Sequence, residues 1–332
     1  MLAATAFITL SLSKIGTQAP RHWDMSLPWS LAEYHTTNAM RFADEAATVT
    51  QGRVQITVHP GAVLGIKGPD SLRALGNNVV AMAEMAGFQQ TGSEPILGLE
   101  ALPFLVDDLE ELYLLYRDFL RPDVEAAFAR HDLKLLYLVP WPNQYLYTRQ
   151  RADSIAGFKG LKVRTLDKNT TDFMERLGFT PIQMPSPDVV PALASGAIDA
   201  TMTSATTGVA QKYWEFLDTA YATNHNWASN MMVVSNVAWD ALSKEDQAAL
   251  EALARRLEPE FWAIAKADDA RTREILKENG MAIIKPSAIM MEEMRAVARP
   301  MWQDFADTVR GTDAILEPYL AVTERPSLNA AP

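Results

Sequence analysis

The chain reads as an α/β protein of two lobes, and three observations predict it. Gly160-Leu161-Lys162-Val163-Arg164-Thr165, followed by Pro185-Ser186-Pro187-Asp188-Val189-Val190-Pro191-Ala192-Leu193-Ala194-Ser195-Gly196-Ala197-Ile198-Asp199-Ala200, reads strand, helix, strand, helix, strand. Val54, Ile56 and Val58 alternate with Arg53, Gln55 and Thr57, the period of a half-buried strand. At 332 residues the chain exceeds the usual single core.

The elements follow in order. Residues 2–12 form an apolar run of signal-peptide length with Thr17-Gln18-Ala19 as a cleavage site, but no basic region precedes it, so residues 1–20 are read as a signal-peptide remnant. Ala39, Phe42, Ala43, Ala46 and Val49 fall at helical spacing, which predicts a helix over 35–50. Strands follow at about 79–84 and 133–139, with a Pro-Phe loop and a helix near 107–120 between them. The second lobe takes over near Tyr145. Asn169 to Leu177 is a capped helix stopped by Gly178, and Ser186-Pro187 starts another that Pro191 kinks. Ser243 and Asp246 cap a long helix that Gly280 ends and Pro259 bends. At 1.5 Å per residue it is about 50 Å long, enough to run along both lobes.

Composition narrows the function. A net charge of −11 without any Lys/Arg cluster argues against nucleic acid as a partner. The absence of cysteine excludes disulfides, thiolate catalysis and Cys-ligated metal. No later segment carries about 18 apolar residues without charge. The sequence has no G-x-S-x-G, G-x-x-x-x-G-K-[ST], G-x-G-x-x-G or H-E-x-x-H, and His22, His35, His59, His131 and His225 lack metal-ligand spacing and read as loop or surface residues. No catalytic residue, metal or cofactor is therefore expected.

The chemistry that remains is a binding site. Ligands of an open α/β sheet bind beyond the carboxyl ends of the strands. Arg164 stands at such an end, and its forked guanidinium matches a carboxylate with two parallel hydrogen bonds. Trp29, in the loop after the first strand, Trp141, before the crossing strand, and Trp227 with Asn230, where the chain crosses back, surround the same cleft. Each tryptophan is either a ligand wall or core packing. Trp214, beside Tyr213 and Phe216, reads as core.

A family resemblance sharpens this reading. Asp153-Ser154-Ile155-Ala156-Gly157-Phe158-Lys159-Gly160-Leu161-Lys162-Val163-Arg164 resembles the "D-L-K-G-L-K-V-R" signature of DctP-type solute-binding proteins, the receptors of TRAP transporters. Ala192-Leu193 with Gly196-Ala197-Ile198-Asp199-Ala200, Gln51-Gly52-Arg53-Val54 through Pro60-Gly61-Ala62-Val63-Leu64-Gly65, and Leu102-Pro103-Phe104 match further segments, covering roughly 21–320. The resemblance implies a two-lobe periplasmic-binding-protein-like fold, type II-like, with hinge strands and a long helix spanning both lobes. Its lobes would be 21–144 plus about 230–265, and 145–229 plus about 266–325. It gives Arg164 the role of carboxylate clamp and puts Thr203, next to Ser204, at a strand-end position that offers a hydrogen bond.

The resemblance also puts Glu84 at a strand-end position for a polar ligand contact, with a structural ion pair as the alternative. Where relatives often carry a second basic residue about twenty positions before the clamp, this chain has Gln144. That favours a single carboxylate, with Gln144 and Tyr145 bonding a neighbouring oxygen; Lys67 or Arg149 would be substitutes for the missing cation. The expected protein is a periplasmic receptor that takes a small organic acid, a monocarboxylate with an apolar or aromatic part, to the small and large TRAP membrane subunits. The alternatives are a C4-dicarboxylate ligand, a two-lobe lyase or hydrolase with Glu84 as base, and a ligand-sensing module.

Overall fold

The computed structural model describes residues 19–328, so the leader expected over residues 1–20 falls almost wholly outside the described residues. The chain first lays down β1 (Arg21–Ser26), α1 (Tyr34–Val49), β2 (Val54–His59), α2 (Ser71–Gly76), β3 (Met82–Ala86), α3 (Leu109–Leu115), α4 (Arg121–Ala129) and β4 (Leu133–Pro140). It then crosses to β5 (Gln144–Thr148), β6 (Lys162–Thr165), α5 (Lys168–Arg176), β7 (Thr180–Gln183), α6 (Val189–Ser195), β8 (Ala200–Ser204), α7 (Ala205–Ala210) and β9 (Thr219–Tyr221). It crosses back through β10 (Ser229–Ser235) and finishes with α8 (Asn236–Asp240), α9 (Lys244–Glu278), β11 (Ala282–Ile284), α10 (Ala288–Thr308) and α11 (Asp313–Val322).

Two mixed sheets result, ordered β2-β1-β3-β10-β4 and β11-β9-β5-β8-β6-β7. β1 runs parallel to β2 and β3, while the returning β10 is antiparallel to β3 and β4. In the second sheet β6 is parallel to β7 and β8, and β5 is antiparallel to β8 and β9. The two-lobed α/β expectation holds. Residues 141–143 and 222–228 are the crossings between sheets, tied by Trp141 N–H to Ala228 O at 2.7 Å and Asn224 N–H to Gln144 O at 2.9 Å.

The long helix α9 runs unbroken through Pro259. Its Leu250, Leu253, Leu257 and Phe261 pack in the core of the first lobe, and Leu276 packs in a core of the second. No helix among the described residues is long and apolar enough to cross a membrane.

Several boundaries differ from expectation. The strand expected at 79–84 occupies Met82–Ala86, and the helix near 107–120 continues through a wide turn at Tyr116–Leu120 to Ala129. The cap of α5 is Asp167, whose side chain accepts from Thr170 N at 2.9 Å. Ser186–Asp188 forms one tight turn that takes Pro187, and Pro191 stands in the first turn of α6, where a backbone N–H has no helical partner to lose. The last segment touches the first lobe: Tyr319 donates to Leu105 O at 3.1 Å, and Arg325 pairs with Asp107 and Glu111 at 2.8 Å. His35, on α1, and His225, on the second crossing, are both completely buried rather than at the surface.

One buried acid makes stability depend on pH. Glu100 accepts from Ser229 N at 2.9 Å at the start of β10, and burial pushes its carboxyl up to about 8. The folded chain thus keeps a proton that the unfolded chain releases above its ordinary value of 4.5, so stability is complete below that pH and declines as pH rises toward 8. The loss is several kcal/mol at most, roughly. Glu100→Gln preserves an acceptor and removes the proton, so thermal melts between about pH 5 and pH 8 should show a shallower decline in the variant. Equal slopes would contradict this assignment.

Candidate functional site

The second sheet fixes one cation. Arg164 lies on β6 between β7 and β8, and its side chain is 2% exposed. Its Nε donates to Met184 O at 3.0 Å and its Nη1 to Met202 O at 3.2 Å. Two main-chain carbonyls therefore orient the guanidinium and leave three of its five N–H groups unspent. Among the described residues no carboxylate pairs with it. After burial, Tyr213 and then Asp167 influence its charge, but the Asp167 side chain caps α5 and burial pushes its carboxyl up to about 6. Burial lowers the Arg164 pKa, yet a guanidinium stays charged. A buried cation of this kind is costly until an anion meets it.

Arg164 opens into a pocket between the lobes. Trp29, Phe88 and Trp141 form aromatic walls; Gln144, Thr203, Thr207 and Asn226 are polar; Leu166 and Ala228 are aliphatic; Gln89 and Ser186 complete the lining. Trp29 and Trp141 meet edge to face with ring centres 4.9 Å apart. Trp29 follows β1, Phe88 follows β3, Leu166 follows β6, Ser186 follows β7 and Thr207 follows β8, so the pocket collects residues from beyond the carboxyl ends of five strands.

Of the residues singled out in the sequence, Arg164, Thr203, Gln144, Trp29 and Trp141 come together here. Glu84 and Asn230 stand behind the wall: Trp141 Nε1 donates to Asn230 Oδ1 and Asn230 Nδ2 to Glu84 Oε1, both at 2.7 Å. His35 Nδ1 lies 3.0 Å from the same carboxylate, and the His35 ring sits 4.0 Å from Trp141. These two residues position an indole rather than touch the pocket. One Glu84 oxygen is thus held inside the fold by Asn230 and His35, in line with the structural alternative left open by the sequence.

Two further candidates fall outside the pocket. Tyr145 turns into the second lobe's core, where Arg273 Nε donates to its hydroxyl at 3.0 Å. Trp227 packs in the largest hydrophobic core, because the extended crossing alternates and presents Asn226 and Ala228 to the pocket instead. Neither spare cation joins the site. Lys67 pairs with Asp188 at 2.8 Å at the half-exposed rim, and Arg149 donates to Phe216 O and Leu193 O at 2.7 and 3.1 Å. Phe88, Leu166, Thr207 and Asn226 were not singled out in the sequence. The strand-end rule applied to every parallel strand would have found the first three, and the alternation around Trp227 the fourth.

The lobes also touch each other beside the pocket. Thr207 Oγ1 donates to Glu33 Oε1 at 3.0 Å, and Asn169 Nδ2 donates to Gly98 O at 3.0 Å. Glu33 is buried, and desolvation raises its pKa despite bonds from Ser30 and Thr207.

Known proteins share this arrangement. The family model for bacterial extracellular solute-binding proteins, family 7 (DctP), matches residues 26–308. The sialic acid-binding periplasmic protein SiaP of Vibrio cholerae is 22% identical over 311 residues, covering 92% of this chain and 94% of that one. The Bordetella pertussis extracytoplasmic solute receptor DctP7, which binds pyroglutamic acid, superposes with a TM-score of 0.88 at 25% identity over 91% of this chain and 99% of its own. A pyroglutamate-specific TRAP solute-binding protein from an unidentified marine microbe gives 0.87 at 28% identity, covering 92% and 100%.

The two crossing tryptophans should respond oppositely to truncation. Trp227→Ala removes core and is expected to cost roughly 3–5 kcal/mol in urea denaturation with carboxylate binding kept. Trp141→Ala should cost about 1–3 kcal/mol of carboxylate affinity by calorimetry. Affinity lost in the first variant and not the second would exchange their roles.

Proposed function

Because the chain belongs to the bacterial extracellular solute-binding proteins of family 7, we propose that it captures a compact monocarboxylate with a flat ring, pyroglutamate being the candidate, through an Arg164 clamp. Membership makes it a periplasmic TRAP solute-binding protein for small organic acids, a receptor rather than an enzyme. The observation that carries the finer reading is the buried, acid-free guanidinium, which is the sole cation lining the pocket among the described residues. One carboxylate neutralises it through two parallel charge-assisted bonds. A second carboxylate would be desolvated against Gln144 and other neutral groups, at a cost of several kcal/mol.

The walls agree with the charge count. Trp29, Phe88 and Trp141 give a ring apolar faces, while Thr203 and Gln144 offer polar atoms beside the clamp. Gln144 spends one amide proton on Pro142 O at 2.8 Å and keeps its other groups for the ligand. The resemblance to pyroglutamate-binding receptors at 25% and 28% identity supports the same class of acid.

Delivery follows from closure. A ligand held by Arg164 of one lobe and by Trp29 and Phe88 of the other binds the closed state better than the open one, so it shifts the population toward closure. The closed receptor then hands its cargo to the TRAP membrane subunits, which supply the transport energy. The enzyme alternative loses its base, since Glu84 is spent on Asn230 and His35.

A calorimetric panel tests the ligand class. Wild-type protein should bind L-pyroglutamate at least about tenfold more tightly than succinate, a gap of about 1.4 kcal/mol or more. Gln144→Arg should shift the preference toward succinate by adding the second cation. Succinate binding about tenfold tighter than every monocarboxylate tried would overturn the single-anchor reading.

A further inference from the structure

We propose that the Asn226 carboxamide is the specificity-determining residue of this receptor, reading a ring amide next to the clamped carboxylate. This inference rests on the monocarboxylate reading above. Asn226 belongs to the second crossing, is 2% exposed and lines the same pocket as Arg164. Its Oδ1 is buried without a hydrogen-bond partner. Of the other amides of the lining, Gln144 donates one N–H to Pro142 O at 2.8 Å, and Gln89 Oε1, packed against Gly68, is likewise buried without a partner. A third orphan in the lining is Trp29 Nε1, a buried indole donor with no partner. Buried polar atoms are almost always satisfied, and those left over in a binding pocket are satisfied by what binds there.

The spare groups define a chemistry. Asn226 supplies one acceptor and up to two donors, and Trp29 supplies one donor. A lactam is a cis amide with one N–H donor and a carbonyl bearing two lone pairs on the same edge. Asn226 Oδ1 accepts from the lactam N–H while Nδ2 donates to the carbonyl, a paired contact between two amides; Trp29 Nε1 takes the second lone pair. In a five-membered lactam acid that amide edge adjoins the carbon bearing the carboxylate, so Arg164 and Asn226 read adjoining groups of one small molecule. A cyclopentane ring of the same size offers neither bond and leaves Asn226 Oδ1 and Trp29 Nε1 buried without partners.

The test compares ligands that differ only in that edge. Wild-type protein and Asn226→Leu are titrated calorimetrically with L-pyroglutamate, with cyclopentanecarboxylate, and with the lactone acid, which keeps the carbonyl but lacks N–H. Wild type should prefer pyroglutamate over cyclopentanecarboxylate by roughly 10–100-fold, with the lactone between them. Asn226→Leu should bring pyroglutamate to within about threefold of cyclopentanecarboxylate. Should the leucine variant fail to fold, Asn226→Ser, which cannot make the paired contact, carries the same expectation, and the lactone comparison needs no variant.

A pyroglutamate preference that survives in the variants overturns the role of Asn226 and leaves the receptor reading standing. Equal loss of both acids assigns Asn226 to structure and likewise overturns the inference. Wild-type protein that binds none of the three acids overturns the monocarboxylate reading, and the inference with it.

Discussion

The structure depends on one unbalanced charge. Arg164 is held by carbonyls of the segments beside it, Met184 and Met202, and among the described residues no acid offsets it. Carbonyls orient a guanidinium without neutralising it, so the site is shaped for an anion while it pays the desolvation of a cation. Everything around the pocket serves that imbalance. The strand-end position of Arg164 aims it at the cleft, the aromatic walls exclude water, and the lack of a second cation in the lining sets the charge the cargo can carry.

The two-sheet fold turns that anchor into a switch. Residues 141–143, residues 222–228, the long α9 and the final run from β11 to α11 join the lobes along the chain, and the first two crossings are tied to each other next to the pocket. Trp141 and Asn226 sit on these crossings, so the ligand wall and the hinge are made of the same segments. The wall is braced from behind by Asn230, Glu84 and His35. The Leu-Pro-Phe segment contributes too: Phe104 adopts a φ of +55°, rare for a residue with a side chain, and donates its N–H to His225 O in the second crossing at 2.7 Å.

The fold was legible in the sequence because its signals are local. Alternation at 53–58, helical spacing at 35–50, the Ser243 cap and the Gly280 stop each act within a few residues, and each corresponds to an observed element. The site was legible where backbone topology decides: Arg164, Thr203, Trp29 and Trp141 follow from strand ends and crossings. It was illegible where register decides. Trp227 and Tyr145 have suitable side chains one residue out of phase, so Asn226 and Gln144 face the cleft in their place. Glu84 and Asn230 were rightly placed near the site, but their role depends on a contact with His35, about 50 residues from one and 195 from the other, that no local pattern records.

Calorimetry of Arg164→Ala and Arg164→Lys against the tightest acid found for wild-type protein tests the central claim most directly. The account predicts that alanine weakens binding by roughly 2–5 kcal/mol, that lysine recovers only part of this, and that both variants still melt cooperatively. Arg164→Ala binding the same acid within about threefold of wild type, less than 1 kcal/mol, would contradict it and leave the cleft without its anchor.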